Sequence, residues 1–204
     1  MRPLGREASR SGETKVSDLE RSLIDGVISG DARAIDVWFR REHPRVYRIA
    51  FGFLADASEA EDLAQEAMVR LHDRLAEAKA ARTYRAWSAT LVCNLCRDRL
   101  RRESTRKAFE GAAPPLPERL PDPLRAAERK EVSEVLARAL GGLAPREREA
   151  FVLVDLEGQS SAEAAEILGV GESSVRSLLA LARRRLRELL GKRLQGYGFG
   201  GARS

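Results

Sequence analysis

Four arginines, Arg183, Arg184, Arg185 and Arg187, crowd the last turns of a stretch that also carries Val175, Leu178, Leu179, Ala182, Leu186, Leu189 and Leu190 at helical spacing. A helix with an apolar seam and a cationic flank can lie in a major groove while its arginines neutralise phosphates. The alternative is a helical hairpin with a solvated basic face. The residues just before it favour DNA. In SSAEAAEILGVGESSV, Ser160 and Glu163 stand at capping-box spacing, and Ala164, Ile167 and Leu168 form one apolar stripe. Gly169 can take the left-handed conformation that ends a helix, Val170 plugs the turn, and a second helix starts near Gly171 or Glu172. Ala165 is small where that second helix must pass close. Together these residues spell a helix-turn-helix.

A second cationic group closes the stretch RTYRAWSATLVCNLCRDRLRRES and runs just past it: Arg97, Arg99, Arg101, Arg102, Arg106 and Lys107, with Trp87, Leu91, Leu95 and Leu100 as apolar anchors. A basic stripe of this kind points to nucleic acid. Arg82 and Tyr84, at the start of the same stretch, set a cation beside an aromatic ring of the kind bases stack on. Trp87 is read as core packing, and Asn94 could orient either the helix or a strand. Further upstream, Glu59, Glu61 and Asp62 open a helix whose buried side is Leu63, Ala67, Met68 and Leu71, with Asp62, Gln65, Glu66 and Val69 on another side. Acids in a first turn suit the helix dipole and need no partner by themselves.

Cys93 and Cys96 spell CxxC inside an apparent helix. A four-ligand zinc site would need two more ligands, and His43 and His72 lie far off without metal spacing, so the cysteines are read as small buried hydrophobes. No nucleophile–base pair, phosphate loop or metal cluster stands out. No catalytic activity and no cofactor are expected.

The elements that position these groups are helices. Aromatics make up 5% of the 204 residues and charged residues 33%, with Ala, Leu, Arg and Glu dominant, which argues against a sheet. The net charge of +5 suits a polyanionic partner, though its placement matters more than its sum. No stretch is apolar for the length of a membrane span and the N-terminus lacks a signal-peptide core, so a cytoplasmic protein without membrane insertion is expected. Residues 1–17 and 195–204 read as tails. Apolar stripes run through Leu19, Leu23, Ile24, Val27 and Ile28, and through Ala34, Ile35, Trp38 and Phe39. After Pro44 they continue through Val46, Tyr47, Ala50, Phe51 and Leu54. EGAAPPLPERLPDPL holds Pro114, Pro115, Pro117, Pro121 and Pro123, five of the chain's eight prolines, and reads as a linker. Helix resumes at Ala126 to Leu140, and Pro145 suits the first turn of another.

Two of these stretches resemble a known family. EAEDLAQEAMVRL, with AED and the Gln three positions after Asp62, resembles conserved region two of bacterial RNA polymerase sigma factors, closest to the small extracytoplasmic-function group. Ala86, Trp87, Leu91, Asn94, Asp98, Leu100, Arg101 and Arg102 match the same region, with Ser88 departing from the usual Leu. LAPREREAF and the helix-turn-helix resemble region four. The resemblance spans about Asp18 to Leu190. It implies that Asp62, Gln65 and Glu66 face a basic coiled coil of core RNA polymerase. Lys79, Arg82, Tyr84, Asn94, Arg97, Arg101 and Arg102 would meet the minus-ten element. Ser173, Ser174, Arg176, Ser177, Arg183 and Arg184 would meet the minus-thirty-five element. Leu178, Leu181 and Val154 stand where arginine is common, which implies altered or weaker upstream recognition, or a surface for a partner.

The expected architecture is therefore all-α: a region-two bundle over 18–108, a linker over 109–125, and a region-four helix-turn-helix domain over 126–194. The partners implied are core RNA polymerase, promoter DNA and an anti-sigma factor. Two other functions fit parts of the chain. A sigma-like mimic would sequester an anti-sigma factor without reading promoters. A stand-alone helix-turn-helix regulator would leave the acidic helix and the Trp87 region unexplained.

Overall fold

The computed structural model describes residues 18–81, 83–110 and 134–194. Among these residues there are helices and turns and no strand. The first unit holds α1 (Asp18–Ile28), α2 (Ala32–Leu54), α3 (Ala57–Asp73), a 3-10 helix (Leu75–Ala80) and α4 (Tyr84–Glu110). The second holds α5 (134–141), α6 (Pro145–Phe151), α7 (Ser161–Leu168) and α8 (Glu172–Leu194). A single wide π-helical turn, Val152–Leu156, prolongs α6.

Local chemistry sets the ends. Asp31 accepts from the backbone N–H of Arg33 at 2.8 Å and starts α2; Asp56 accepts from that of Glu59 at 2.9 Å and starts α3. α2 runs unbroken through Pro44, so the two apolar stripes on either side of that proline belong to one helix. The capping box forms as the spacing predicts. Ser160 Oγ accepts from the Glu163 N–H at 3.1 Å, and the Glu163 carboxylate accepts from the Ser160 N–H at 2.9 Å. Gly169 sits at φ 66°, and Pro145 occupies the first turn of α6.

In the first unit Trp38, Val46, Ile49, Phe53, Leu63, Leu71, Leu75 and Val92 are buried against one another. Each such side chain contributes about 1.5–3 kcal/mol relative to exposure. In the second, Val175, Leu179, Ala182 and Leu186 of α8 are buried in one core with Leu140 of α5, Leu143 of the turn after it, Ala150 of α6 and Leu153 of the wide turn.

Two expectations change, and one falls outside the described residues. α4 continues to Glu110, past the expected start of the linker at residue 109. The proline-rich segment itself falls outside the described residues, as do residues 1–17, 195–204 and Arg82. The two units, read from the sequence as separate modules, lie against each other: α6, the wide turn and α7 dock on α2 and α4.

Candidate nucleic-acid interface

Helix α4 begins where Thr83 Oγ1 accepts from the Ala86 N–H at 3.1 Å. Tyr84, expected at the minus-ten surface, is not on the surface. It is 3% exposed, and Trp38 Nε1 donates to its hydroxyl oxygen at 2.9 Å. Burial, then the nearby Glu42 carboxylate, push its phenol pKa well up. A tyrosine suited to hold a base is equally suited to close a helix crossing, and here the crossing of α2 and α4 takes it.

The other minus-ten candidates among the described residues lie on the 3-10 helix and on α4. Lys79 is exposed and pairs with Asp25 at 2.6 Å. Asn94 is exposed and accepts from Arg97 Nη1 at 3.3 Å. Arg101, which sits 3.6 Å from Asp98, and Arg102 are exposed on the far turns of α4. Trp87 is half-buried, 5.8 Å from the Tyr84 ring and tilted to it. It lines a cleft of about 400 Å³ with Arg74, Thr83, Thr90 and Asn94. The cleft's opposite wall is Glu166 and Ile167 of α7.

On α3, Asp62 and Gln65 are exposed, and Glu66, partly exposed, pairs with Arg70 at 2.7 Å. Beneath them Leu63, Ala64, Ala67 and Met68 are buried. The acidic face is thus presented to solvent by the apolar face behind it.

On α8, Ser173, Ser174, Arg176, Ser177 and Arg184 are exposed, opposite the buried seam. Ser177 Oγ donates to the Ser173 carbonyl at 3.0 Å, and Arg176 pairs with Glu172 at 2.5 Å. Arg183 has a structural duty: it grips both carboxylate oxygens of Asp155 at 2.6 and 2.9 Å, which raises its own pKa. Of the three positions where arginine is common, Leu178 and Val154 are turned partly inward against the core. Leu181 alone of the three is exposed, at 39%.

The charged residues at the heart of the fold were not singled out in the sequence. Glu157, at the end of the wide turn, has 0% exposure. Its carboxylate lies 2.8 Å from Arg45 Nε and 3.5 Å from Arg48 of α2. Its carbonyl accepts from the Arg85 guanidinium of α4. Arg45 also donates to Glu42 at 3.0 Å, to Ser88 Oγ at 2.9 Å and to the Arg85 carbonyl at 2.9 Å. At a second point Arg97 grips Glu149 of α6 at 3.1 and 3.2 Å. One signal was readable. Trp38, Arg45, Ile49 and Gly52 share a face of α2, so a charge there interrupts an apolar stripe.

Two helical units, one ending in an exposed cationic helix and the other a helix-turn-helix, define a bipartite DNA-binding protein. Residues 38–106 match Sigma-70 region 2 and residues 133–186 match Sigma-70 region 4. The chain is similar to the ECF RNA polymerase sigma factor SigM of Mycobacterium tuberculosis, at 37% identity over 180 residues, 88% of each chain. It also resembles the solved structure of CnrH in complex with the cytosolic domain of CnrY. That likeness has 27% identity and a TM-score of 0.62, and covers 86% of this chain and 99% of that one. The sigma factor RpoE of Bartonella quintana, solved with the anti-sigma factor NepR, shares the fold at 22% identity and a TM-score of 0.62, over 76% of this chain and 96% of that one. The chain belongs to the ECF sigma factors, which bind core RNA polymerase and direct promoter-specific transcription initiation. Among the described residues no helix is long and apolar enough to cross a membrane.

Proposed function

We propose the following division of labour among the residues of this sigma factor. The first unit holds core polymerase through Asp62, Gln65 and Glu66. It engages the minus-ten strand along Lys79, Arg82, Asn94, Arg97, Arg101 and Arg102. The second unit enters the minus-thirty-five groove with Ser173, Ser174, Arg176, Ser177 and Arg184, while Arg183 braces the helix that carries them. The observation that supports this most is the separation of charge: an exposed acidic face on α3 and an exposed basic end on α4, each backed by its own apolar core. Acids meet a basic prong of polymerase; arginines meet phosphates.

The test is run-off transcription with purified core polymerase on a promoter library. The wild-type chain yields promoter-specific transcripts. Asp62→Ala with Gln65→Ala loses polymerase binding, and Arg101→Ala with Arg102→Ala retains it but loses promoter opening. A wild-type chain that gives no transcript defeats the assignment.

An anti-sigma factor is proposed as a further partner, supported by the two solved relatives, whose structures contain CnrY and NepR. The site of action is the cytoplasm, where polymerase and promoter are. The inward turn of Leu178 and Val154 takes away much of the apolar surface that would favour a mimic over a working initiation factor.

A further inference from the structure

Leu181 is an exposed apolar side chain on a face of α8 that is otherwise polar or small. Along that face Ser177 lies one turn before it and Arg184 one turn after, both exposed, while Val175, Leu179, Ala182 and Leu186 are buried on the other side. Ser177 and Arg184 stand about 10 Å apart along the helix axis, or roughly three base-pair steps. A helix that sets both in one groove carries Leu181 past the base edges between them.

Two further features of this face bear on which bases it reads. Ser177 Oγ gives its proton to the Ser173 carbonyl at 3.0 Å, so toward a base it can only accept. An acceptor answers the amino group of adenine or cytosine. Arginine is the side chain that selects guanine, and three arginines near Leu181 are engaged by carboxylates: Arg176 by Glu172, Arg183 by Asp155 and Arg185 by Glu147. Leucine itself has neither donor nor acceptor. Against a G·C pair it would strip water from polar base edges and return no hydrogen bond. The apolar group that a major groove offers it is the 5-methyl of thymine.

We propose that Leu181 selects thymine in the upstream promoter element by packing on its 5-methyl group, with the Ser177 hydroxyl accepting from an adenine amino group beside it. The A·T pair alone presents both an amino donor and a methyl in the major groove. The inference rests on the placement of α8 in the groove proposed above, and adds which base that helix reads.

The test uses holoenzyme assembled from core RNA polymerase and the full chain. It is mixed with promoter duplexes randomised over the upstream element, and the duplexes it retains are sequenced. Wild type should retain an A·T pair at one fixed position, and Leu181→Arg should exchange that pair for G·C with a preference of about fivefold or more. On a retained duplex, replacing the thymine by deoxyuridine removes the methyl and nothing else. Fluorescence anisotropy should then show wild-type binding weakened about fourfold and Leu181→Ala binding unchanged. Leu181→Ala keeps the helix, since the position is exposed and alanine is the best helix former, and circular dichroism checks this. The same base retained by wild type and Leu181→Arg, or equal wild-type affinity for the thymine and deoxyuridine duplexes, overturns the inference. Ser177→Ala with Arg184→Ala tells the two readings apart. If that pair leaves upstream binding intact, the placement of α8 fails and the inference with it; if it weakens binding while deoxyuridine changes nothing, the thymine assignment alone fails.

Discussion

Tyr84 shows how a single side chain divides between two readings. Its ring is buried and its hydroxyl answers the Trp38 indole N–H, so its duty is to hold α4 on α2. Tyr84→Phe leaves a buried donor without an acceptor and should destabilise the fold by about 1–3 kcal/mol in chemical denaturation. Strand affinity should not change, and a loss of affinity at unchanged stability would return Tyr84 to the site. Cys93 and Cys96 are also fully buried, and burial pushes the Cys93 thiol up to about 12 from a usual 9.0. The native chain should therefore resist maleimide at pH 8 that labels the urea-unfolded chain. Because the folded thiol keeps its proton while the unfolded one loses it, stability should fall as pH rises from about 9 to 12. Glu157 and Arg45 form the opposite case, a buried pair. Arg45→Met removes the closer partner of two buried carboxylates, Glu42 and Glu157, and leaves Glu157 only Arg48 at 3.5 Å, so it should cost about 3–5 kcal/mol in chemical denaturation.

At the level of elements, the legible features are the local ones. Ser160 with Glu163, Gly169, Pro145 and Asp56 could be placed from spacing because each acts on a backbone within a few residues. Ser160→Ala should lower stability by about 1 kcal/mol and Gly169→Ala by about 1–2 kcal/mol, measured by thermal melting. The apolar stripes of α3 and α8 likewise gave the exposed faces on which Asp62, Gln65, Arg176, Ser177 and Arg184 sit. Arg183 and Leu178 were harder, since a helix face is some 100° wide and residues at its margin go either way. Asp155 claimed Arg183, and the α6–α8 core drew in Leu178. The docking of the two units could not be read at all. Arg45 and Glu157 are 112 positions apart, and periodicity carries no information about which distant charge answers which.

For the molecule as a whole, net charge of +5 understates its pull on nucleic acid, because acids gather on α3 and arginines on α4 and α8. Binding to single strands should weaken with salt, with a log–log slope of about 0.7 per phosphate neutralised. Arg101→Ala with Arg102→Ala should lower that slope by about 1.4 when affinity is titrated across salt concentrations. An unchanged slope would place the strand elsewhere.

The wide turn at Val152–Leu156 carries one residue more than an α-helical turn, with the Glu157 N–H bonding the Val152 carbonyl five positions back at 2.9 Å. Excising one residue there, such as Val154, would restore ordinary winding and swing everything after it by about 100° about the helix axis. The carboxylate at position 157 would then face away from α2, and the DNA-reading pair would leave on a new heading. A lineage that lost this codon would keep both DNA-reading units and lose the fit between them.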